Sequence, residues 1–428
     1  MARLSAFTNY EQKMPDNPRA FGLAPMKALL EELRHPGAGI PCIHVAGTNG
    51  KGSTTWYCGA LVRSTGLKVG VYTSPHLISP CERISINGIP VSPDEFAYSA
   101  NMACEAAERI AAGGGAKATW FDIVTATALL HFQGAQVHVM VLETGLGGRL
   151  DSTNAVESTV SVITRIGMDH THELGDTLGA IAMEKAGIIR EGVPVMSAAQ
   201  DDEALRVVEE VCRLRRSELS MLGREIRVSI EEGLADIDVG TELYTGLTKS
   251  MPGSFQWENA ALAVAAVSKL AEKIGMKFGE QDVRFALLNT EVPGRSMAWH
   301  DLFLDGAHNP MAMRALTEVL DEKDFGRMRV VVGMCSDKDV VGTLQQLRRH
   351  VSRVWCTRLP SSRSMEPKAL AALAREALPK LEVTPVESLE EALAKARSEG
   401  GDDPILVTGS FYLVGEALKF PAPEGKDD

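Results

Sequence analysis

A short apolar run, residues 40–45, passes straight into the glycine-rich turn HVAGTNGKGSTT, residues 44–55, and that junction constrains the chain more than any other stretch. Gly47, Gly50 and Gly52 let successive backbone N–H groups converge. A helical pattern opening at Ser53, Thr54 and Thr55 adds the partial positive charge of a helix N-terminus, and Lys51 adds a full one. A strand, a turn of this kind and a helix start make an anion site, and a hydroxyl next to the lysine suits a magnesium ion carried on phosphates. A nucleoside triphosphate is the expected ligand. The usual phosphate-loop pattern puts Ser or Thr directly after the lysine, whereas here Gly52 intervenes. Without context, a plain glycine-rich strand-to-helix turn with an exposed lysine stays open.

At 428 residues the chain fits two or three domains. Its 45% apolar and 23% charged residues describe an ordinary globular protein. A net charge of −12 argues against general affinity for nucleic acid or an anionic membrane. The opening MARLSAFTNYEQK lacks the apolar core of a signal peptide, and no run nears the ~20 apolar residues of a membrane span. The expected compartment is the cytoplasm. The 7 cysteines contain no CxxC spacing, which fits free thiols, mostly core fillers, rather than a zinc site or a disulfide framework.

Along the chain, residues 1–39 read as a helical lead-in. Strands follow at 68–72, 137–142 and 160–164, with helices at 91–110, 119–132, 177–189 and 257–270 between and after them. Residues 223–250 are polar and strand-like. After the turn VPGRS the alternation restarts: strands at 300–304, 329–334, 354–357 and 405–408, helices from Pro310, near 340–350, from Pro367 and near 389–398. The expected fold is α/β, a P-loop-type doubly wound N-terminal domain over 1–297 and a smaller Rossmann-like C-terminal domain over 298–428. The tail PAPEGKDD is expected to be disordered.

Three further places carry chemistry. Glu143 ends the 137–142 strand, where a carboxylate can hold magnesium opposite Ser53. Asp169, His170 and His172 follow the next strand; beside a metal, His170 reads as a ligand and His172 stays unassigned. Lys185, in IAMEKAGII, lies among apolar residues on a helix. Burial lowers a lysine pKa and makes the amine nucleophilic, able to add carbon dioxide and become a carbamate; pairing with Glu184 is the plainer alternative.

The blocks HVAGTNGKGST, YTSPHL with ERI, LETGLGGRLDSTN, GMDHT, LGDTLGAIAMEKAGII, WENAALA, PGR, LDGAHNP, DKD and TGSFYLVGE resemble the folylpolyglutamate synthase/dihydrofolate synthase family of the Mur ligase superfamily. They occur in that family's order between residues 40 and 417. The resemblance implies that Thr48, Asn49, Gly50, Lys51, Gly52, Ser53 and Thr54 cradle the ATP phosphates. It implies one magnesium among Ser53, Ser74 and Glu143, and a second between His170 and carbamylated Lys185. It puts Asn259 at adenine, Arg295 and His308 near phosphate, and Asp305 at the ribose or nucleotide. Thr144 stands where the family commonly has valine, PGSFQWEN lacks the histidine often seen before the glutamine, and segments 75–90 and 113–122 match loosely.

The implied reaction is ATP-dependent addition of L-glutamate to a folate-type carboxylate, tetrahydrofolate or dihydropteroate, through an acyl phosphate, by a monomer that closes about a linker near 295–299. One rival is a cell-wall Mur ligase. With about 40 residues ahead of the turn, an N-terminal domain of roughly 100 residues for a nucleotide sugar is not expected. The other is a non-ligase nucleotide switch, which needs neither Lys185, Arg295 nor the DGAHNP block.

Overall fold

The computed structural model describes residues 3–11, 22–399, 401 and 403–421. Its chain divides into two compact units. The first holds residues up to Pro75, Ser79–Ser250 and Gln256–Glu291; the second holds His76–Ile78, Met251–Phe255 and the chain from Val292 onward.

The first unit is built on an eight-stranded sheet. Its members in chain order are β1 (Cys42–Ala46), β2 (Val69–Tyr72), β3 (Ile84–Ile86), β4 (Ile89–Pro90), β5 (Val139–Glu143), β6 (Val160–Ile163), β7 (Val195–Ser197) and β8 (Leu219–Met221). Across the sheet the order is β4-β3-β2-β5-β1-β6-β7-β8. From β2 to β8 every pairing is parallel, whereas β3 and β4 join antiparallel at the edge. Strands β1, β2, β5 and β6 are buried throughout, which is why they read in sequence as unbroken apolar runs.

Helices alternate with these strands: α1 (Ala24–Glu32), α2 (Lys51–Ser64), α3 (Pro93–Ala112), α4 (Trp120–Gly134), α5 (Thr171–Leu174), α6 (Leu178–Ala186) and α7 (Asp202–Arg215). The starts of α3 and α4 are fixed by capping boxes, Ser92 with Glu95 and Thr119 with Asp122. Residues 223–250 form an antiparallel sheet of β9 (Arg227–Glu231), β10 (Leu234–Asp238) and β11 (Leu243–Leu247). Two helices complete the unit, α8 (Phe255–Ile274, its first residue in the second unit) and α9 (Glu280–Leu288).

The second unit has six strands: β12 (Met297–Trp299), β13 (Leu302–Leu304), β14 (Met328–Val332), β15 (Val351–Cys356), β16 (Glu382–Pro385) and β17 (Ile405–Thr408). They lie in the order β12-β13-β17-β14-β15-β16, antiparallel only between β12 and β13. Apolar clusters on both faces of the sheet are covered by α10 (Pro310–Glu322), α11 (Val340–Gln346), α12 (Pro367–Ala377), α13 (Leu389–Glu399) and α14 (Phe411–Ala417). Leu77 packs here, its side chain against Gly294 and its backbone against Gly415; a β-carbon on Gly415 would lie 2.0 Å from the Leu77 carbonyl oxygen.

The α/β architecture is as expected, with three differences. The compact units divide between Glu291 and Val292, ahead of the boundary expected after residue 297, and the β12–β13 hairpin lies wholly in the second unit. The strand expected over 300–304 begins at Leu302, since His300, with φ of 53°, and Asp301 form the turn of the β12–β13 hairpin. Among its described residues the lead-in is helical at a short 3₁₀ turn (Leu4–Ala6) and at α1, and residues 1–2, 12–21 and all of the tail after Pro421 lie outside the described residues.

Candidate functional site

In the first unit the anion site forms where β1 delivers the chain to α2. Gly47 has φ of 152° and sits so close to the following strand that a β-carbon would come within 1.8 Å of Thr164 Oγ1. Gly50 is the N-cap of α2 in the left-handed region (φ 89°), where a β-carbon would meet Asn259 Oδ1 at 2.3 Å. The first intrahelical bond runs from Thr54 N to Gly50 O, so the amides of Lys51, Gly52 and Ser53 have no carbonyl behind them in the helix.

The amides of Thr48 and Asn49 both donate to Arg165 O, at 3.0 and 3.2 Å. Thr48 Oγ1 also bridges the backbone of Gly167, donating to its carbonyl and accepting from its amide, each at 3.0 Å. These two residues therefore anchor the turn to the segment after β6, rather than presenting their amides to a phosphate.

Two lysines converge on one carbonyl. Lys51 Nζ donates to Gly47 O at 3.1 Å and Thr48 O at 3.2 Å, and Lys185 Nζ, from α6, donates to Gly47 O at 2.7 Å. Lys185 is buried; burial first and the Lys51 charge second bring its pKa down to about 7, with Asp169 and Asp151 opposing. Glu184, the plainer partner, instead pairs with Arg149 at 2.8 Å.

Glu143, the last residue of β5, is buried beside α2's first turn. Its carboxylate oxygens lie 3.7 and 3.8 Å from where a β-carbon on Gly52 would be, and Oε2 accepts from Ser74 N at 3.2 Å. The Glu143 carboxylate, next to the first turn of α2 that carries the Ser53 hydroxyl, offers oxygen donors of the kind a hard cation such as Mg²⁺ takes, and Ser74 meets it through its backbone N–H. Among the described residues no three His, Cys, Asp or Glu side chains could hold a metal by themselves, so hydroxyls, a modified lysine or phosphate oxygens have to complete any coordination. His170 caps the short α5 with φ of 50°, its ring nitrogens 3.9 Å from Glu173 and 4.0 Å from Asp169.

Sequence reasoning did not assign Gln256. Its Nε2 donates to Ser53 Oγ at 3.4 Å, and its Oε1 accepts from Asn259 Nδ2 at 2.9 Å, so α8 reaches the phosphate turn through a two-link chain. Asp151 was also unassigned. It is buried and accepts from the amides of Gly145, Leu146 and Thr153 and from Thr153 Oγ1, which fixes the loop after Glu143. The LDSTN block was the available signal. A third group is Arg83: fully buried, it pairs with Glu11 at 2.6 Å and lies 4.9 Å over the Trp120 ring.

The remaining expected residues lie in the second unit. The Arg295 guanidinium is 4.5 Å from the centre of the Phe411 ring, and His308 meets that ring edge-on, with Nδ1 2.9 Å from Gly306 O. Asp305 is buried, accepting from Ser296 N and Oγ and from Ala307 N. Burial raises its pKa, opposed by Arg295. Both of its oxygens are engaged in shaping this loop. The structure thus brings together Thr48 to Thr54, Ser74, Glu143, Lys185 and Asn259 in one unit, and Arg295, Asp305 and His308 in the other.

A phosphate turn with two lysines, an acid and a hydroxyl is the equipment of an ATP-using enzyme. The family pattern of the Mur ligase middle domain matches residues 45–267, and that of the Mur ligase glutamate ligase domain matches 292–411, starting where the second unit does. Fold and site together define an ATP-dependent ligase of the Mur type. The dihydrofolate synthase/folylpolyglutamate synthase of Bacillus subtilis is 32% identical over 93% of this chain and 94% of its own. The Escherichia coli FolC structure with DHPP and ADP superposes with a TM-score of 0.85 at 29% identity, covering 98% and 96% of the two chains. A bifunctional folylpolyglutamate synthase/dihydrofolate synthase with Mn, AMPPNP and L-glutamate bound gives 0.81 at 33% identity and 93% of each chain. The chain belongs to the dihydrofolate synthase/folylpolyglutamate synthase family.

Proposed function

We propose that this enzyme joins L-glutamate to a folate-type carboxylate at the expense of ATP, acting on both dihydropteroate and tetrahydrofolate. The observation that carries the reading is the meeting of Lys51 and Lys185 on the Gly47 carbonyl with Glu143 beside Gly52. In the reaction, a carboxylate oxygen of the substrate takes the γ-phosphoryl group of ATP, forming an acyl phosphate and ADP. The amine of L-glutamate then attacks the acyl carbon, and phosphate leaves as the amide forms. No protein nucleophile is required. The first-turn amides of α2 and Lys51 hold the phosphates and offset charge on the group in transfer, while Gln256 orients the Ser53 hydroxyl. Divalent cations, when bound, supply further neutralisation of the phosphate oxygens, with Ser53, Ser74 and Glu143 holding one and His170 and Lys185 a second.

The low pKa of Lys185 leaves much of its amine neutral near pH 7. Such an amine can add to the carbon of CO₂ and lose a proton, giving an N-carboxylate that would offer a second cation an oxygen ligand. In the second unit Arg295, Asp305 and His308 serve the nucleotide.

The test is ADP release with magnesium and ATP, offering dihydropteroate and tetrahydrofolate separately, with product mass checked for one added glutamate. Turnover with both is expected. Turnover with one alone would restrict the substrate, and ATP hydrolysis indifferent to glutamate would overturn the ligase reading in favour of a switch. Lys185→Ala is expected to lose activity and regain part of it with a short added carboxylic acid; if neither the loss nor the rescue appears, the carbamate role is wrong.

A further inference from the structure

A cavity of about 320 Å³ in the first unit lies along α2, away from the residues assigned above, closed by β2, the β3–β4 turn and the C-terminal end of α9. Its lining includes Trp56, Arg63, Val71, Leu288, Thr290 and Glu291. Its volume lies in the range of small-molecule sites.

Two polar side chains of this lining are committed, Asn289 Nδ2 donating to Phe285 O and Thr290 Oγ1 to Ala286 O, each at 2.7 Å. Arg63 donates from Nη1 to Asn87 O at 3.0 Å, and its other N–H groups have no acceptor among the described residues. Glu291, exposed, has no hydrogen-bond or ion-pair partner among them, and neither does the Trp56 indole N–H. Arg63 and Glu291 line one cavity yet do not pair with each other. One cation and one carboxylate that do not pair, in a lining that also holds an indole and the aliphatic side chains of Val71 and Leu288, match a compact molecule carrying both charges. A polyanion such as a nucleotide would meet the Glu291 carboxylate and only one cation. A simple carboxylate would leave Glu291 unanswered.

We propose that this cavity binds a zwitterionic α-amino acid with an apolar side chain, its carboxylate on Arg63, its ammonium on Glu291 and its side chain against Trp56, Val71 and Leu288. The site touches α2, whose first turn carries Lys51 and Ser53, and Glu291, the last residue before the chain enters the second unit.

The experiment is ligand-observed NMR on the full-length protein with three probes of one shape: L-leucine, leucinamide, which lacks the carboxylate, and 4-methylpentanoate, which lacks the ammonium. L-Leucine is expected to bind saturably with Kd near about 1 mM, and each truncated probe about tenfold more weakly. Arg63→Gln and Glu291→Gln should each weaken L-leucine about tenfold, Arg63→Lys should restore part of the loss, and Glu291→Gln should leave leucinamide no tighter than before. If Arg63→Gln fails to fold because the β3–β4 turn loses its anchor, Glu291→Gln decides alone. Absence of saturable L-leucine binding, equal binding of all three probes, or binding indifferent to these variants would overturn the proposal. None of these outcomes bears on glutamate-dependent ADP release, so the ligase reading stands or falls separately.

Discussion

Gly52→Ala separates what the phosphate turn does for stability from what it does for chemistry. Gly52 is the second residue of α2, and its β-carbon would sit 3.7–3.8 Å from the Glu143 oxygens, an ordinary van der Waals distance with nothing closer. Alanine in a helix interior is favoured over glycine by roughly 1 kcal/mol. In a first turn, half of that is a fair expectation, so the variant should gain about 0.5 kcal/mol, or about 1–2 °C in Tm for a unit of this size. The same methyl takes up the space between the Glu143 carboxylate and the α2 amides, where a cation and phosphate have to fit. ATP turnover should therefore fall at least about tenfold, which is about 1.4 kcal/mol in the barrier. Differential scanning fluorimetry without ligands and coupled ADP release read the two effects on one preparation. A lower Tm would refute the steric reading of the site, and undiminished turnover would refute the placement of cation and phosphate beside Glu143.

Gln256→Leu leaves Ser53 Oγ and Asn259 Nδ2 without their present partner, each at about 1 kcal/mol, and should raise KM for ATP along with a lower Tm; an unchanged KM would make Gln256 a packing residue only. Glu11→Ala removes one carboxylate from the buried Arg83 guanidinium and should destabilise by about 3 kcal/mol, measured by urea unfolding; a loss under about 1 kcal/mol would mean that the other contacts of Arg83 suffice. His44, buried with Nε2 2.8 Å from Thr153 Oγ1, has its pKa brought from 6.5 to about 3, chiefly by burial and secondarily by Arg190. Between those values the unfolded chain takes up a proton that the folded chain refuses. Stability should thus fall with pH below 6.5, by up to about 1.4 kcal/mol per unit, and His44→Gln should flatten that slope in urea unfolding at pH 7, 6 and 5.

What could be read from sequence depended on the range of the interactions. Central strands such as β1 and β5 are buried on both faces, so each announces itself as a continuous apolar run, and Glu143 stands out as the charge ending one. The turn of glycines around Lys51 is equally local. Strands β3, β4 and β12 are two or three residues long, too short to carry a periodicity that sequence could reveal. The bond from Gln256 to Ser53 spans 203 residues, and that from Lys185 to Gly47 spans 138. Lysine among apolar residues signalled the second, whereas a glutamine on an alanine-rich helix signals nothing until the helix is placed.

The second unit is not a single stretch of chain. It takes in His76–Ile78 and Met251–Phe255 from far upstream, and Leu77 lodges between Gly294 and Gly415. The two units therefore cannot be exchanged between relatives like beads on a string. A hybrid gene joined once at residue 292 would bring in Gly294 and Gly415 from one parent and the Leu77 segment from the other. Recombination that respects the packing needs matched crossovers around 76–78 and 251–255 as well, and a fragment starting at Val292 would leave open the seat that Leu77 fills. The glycine at 415 and the residues at 76–78 are expected to be inherited as a set, since any side chain at 415 meets the Leu77 backbone.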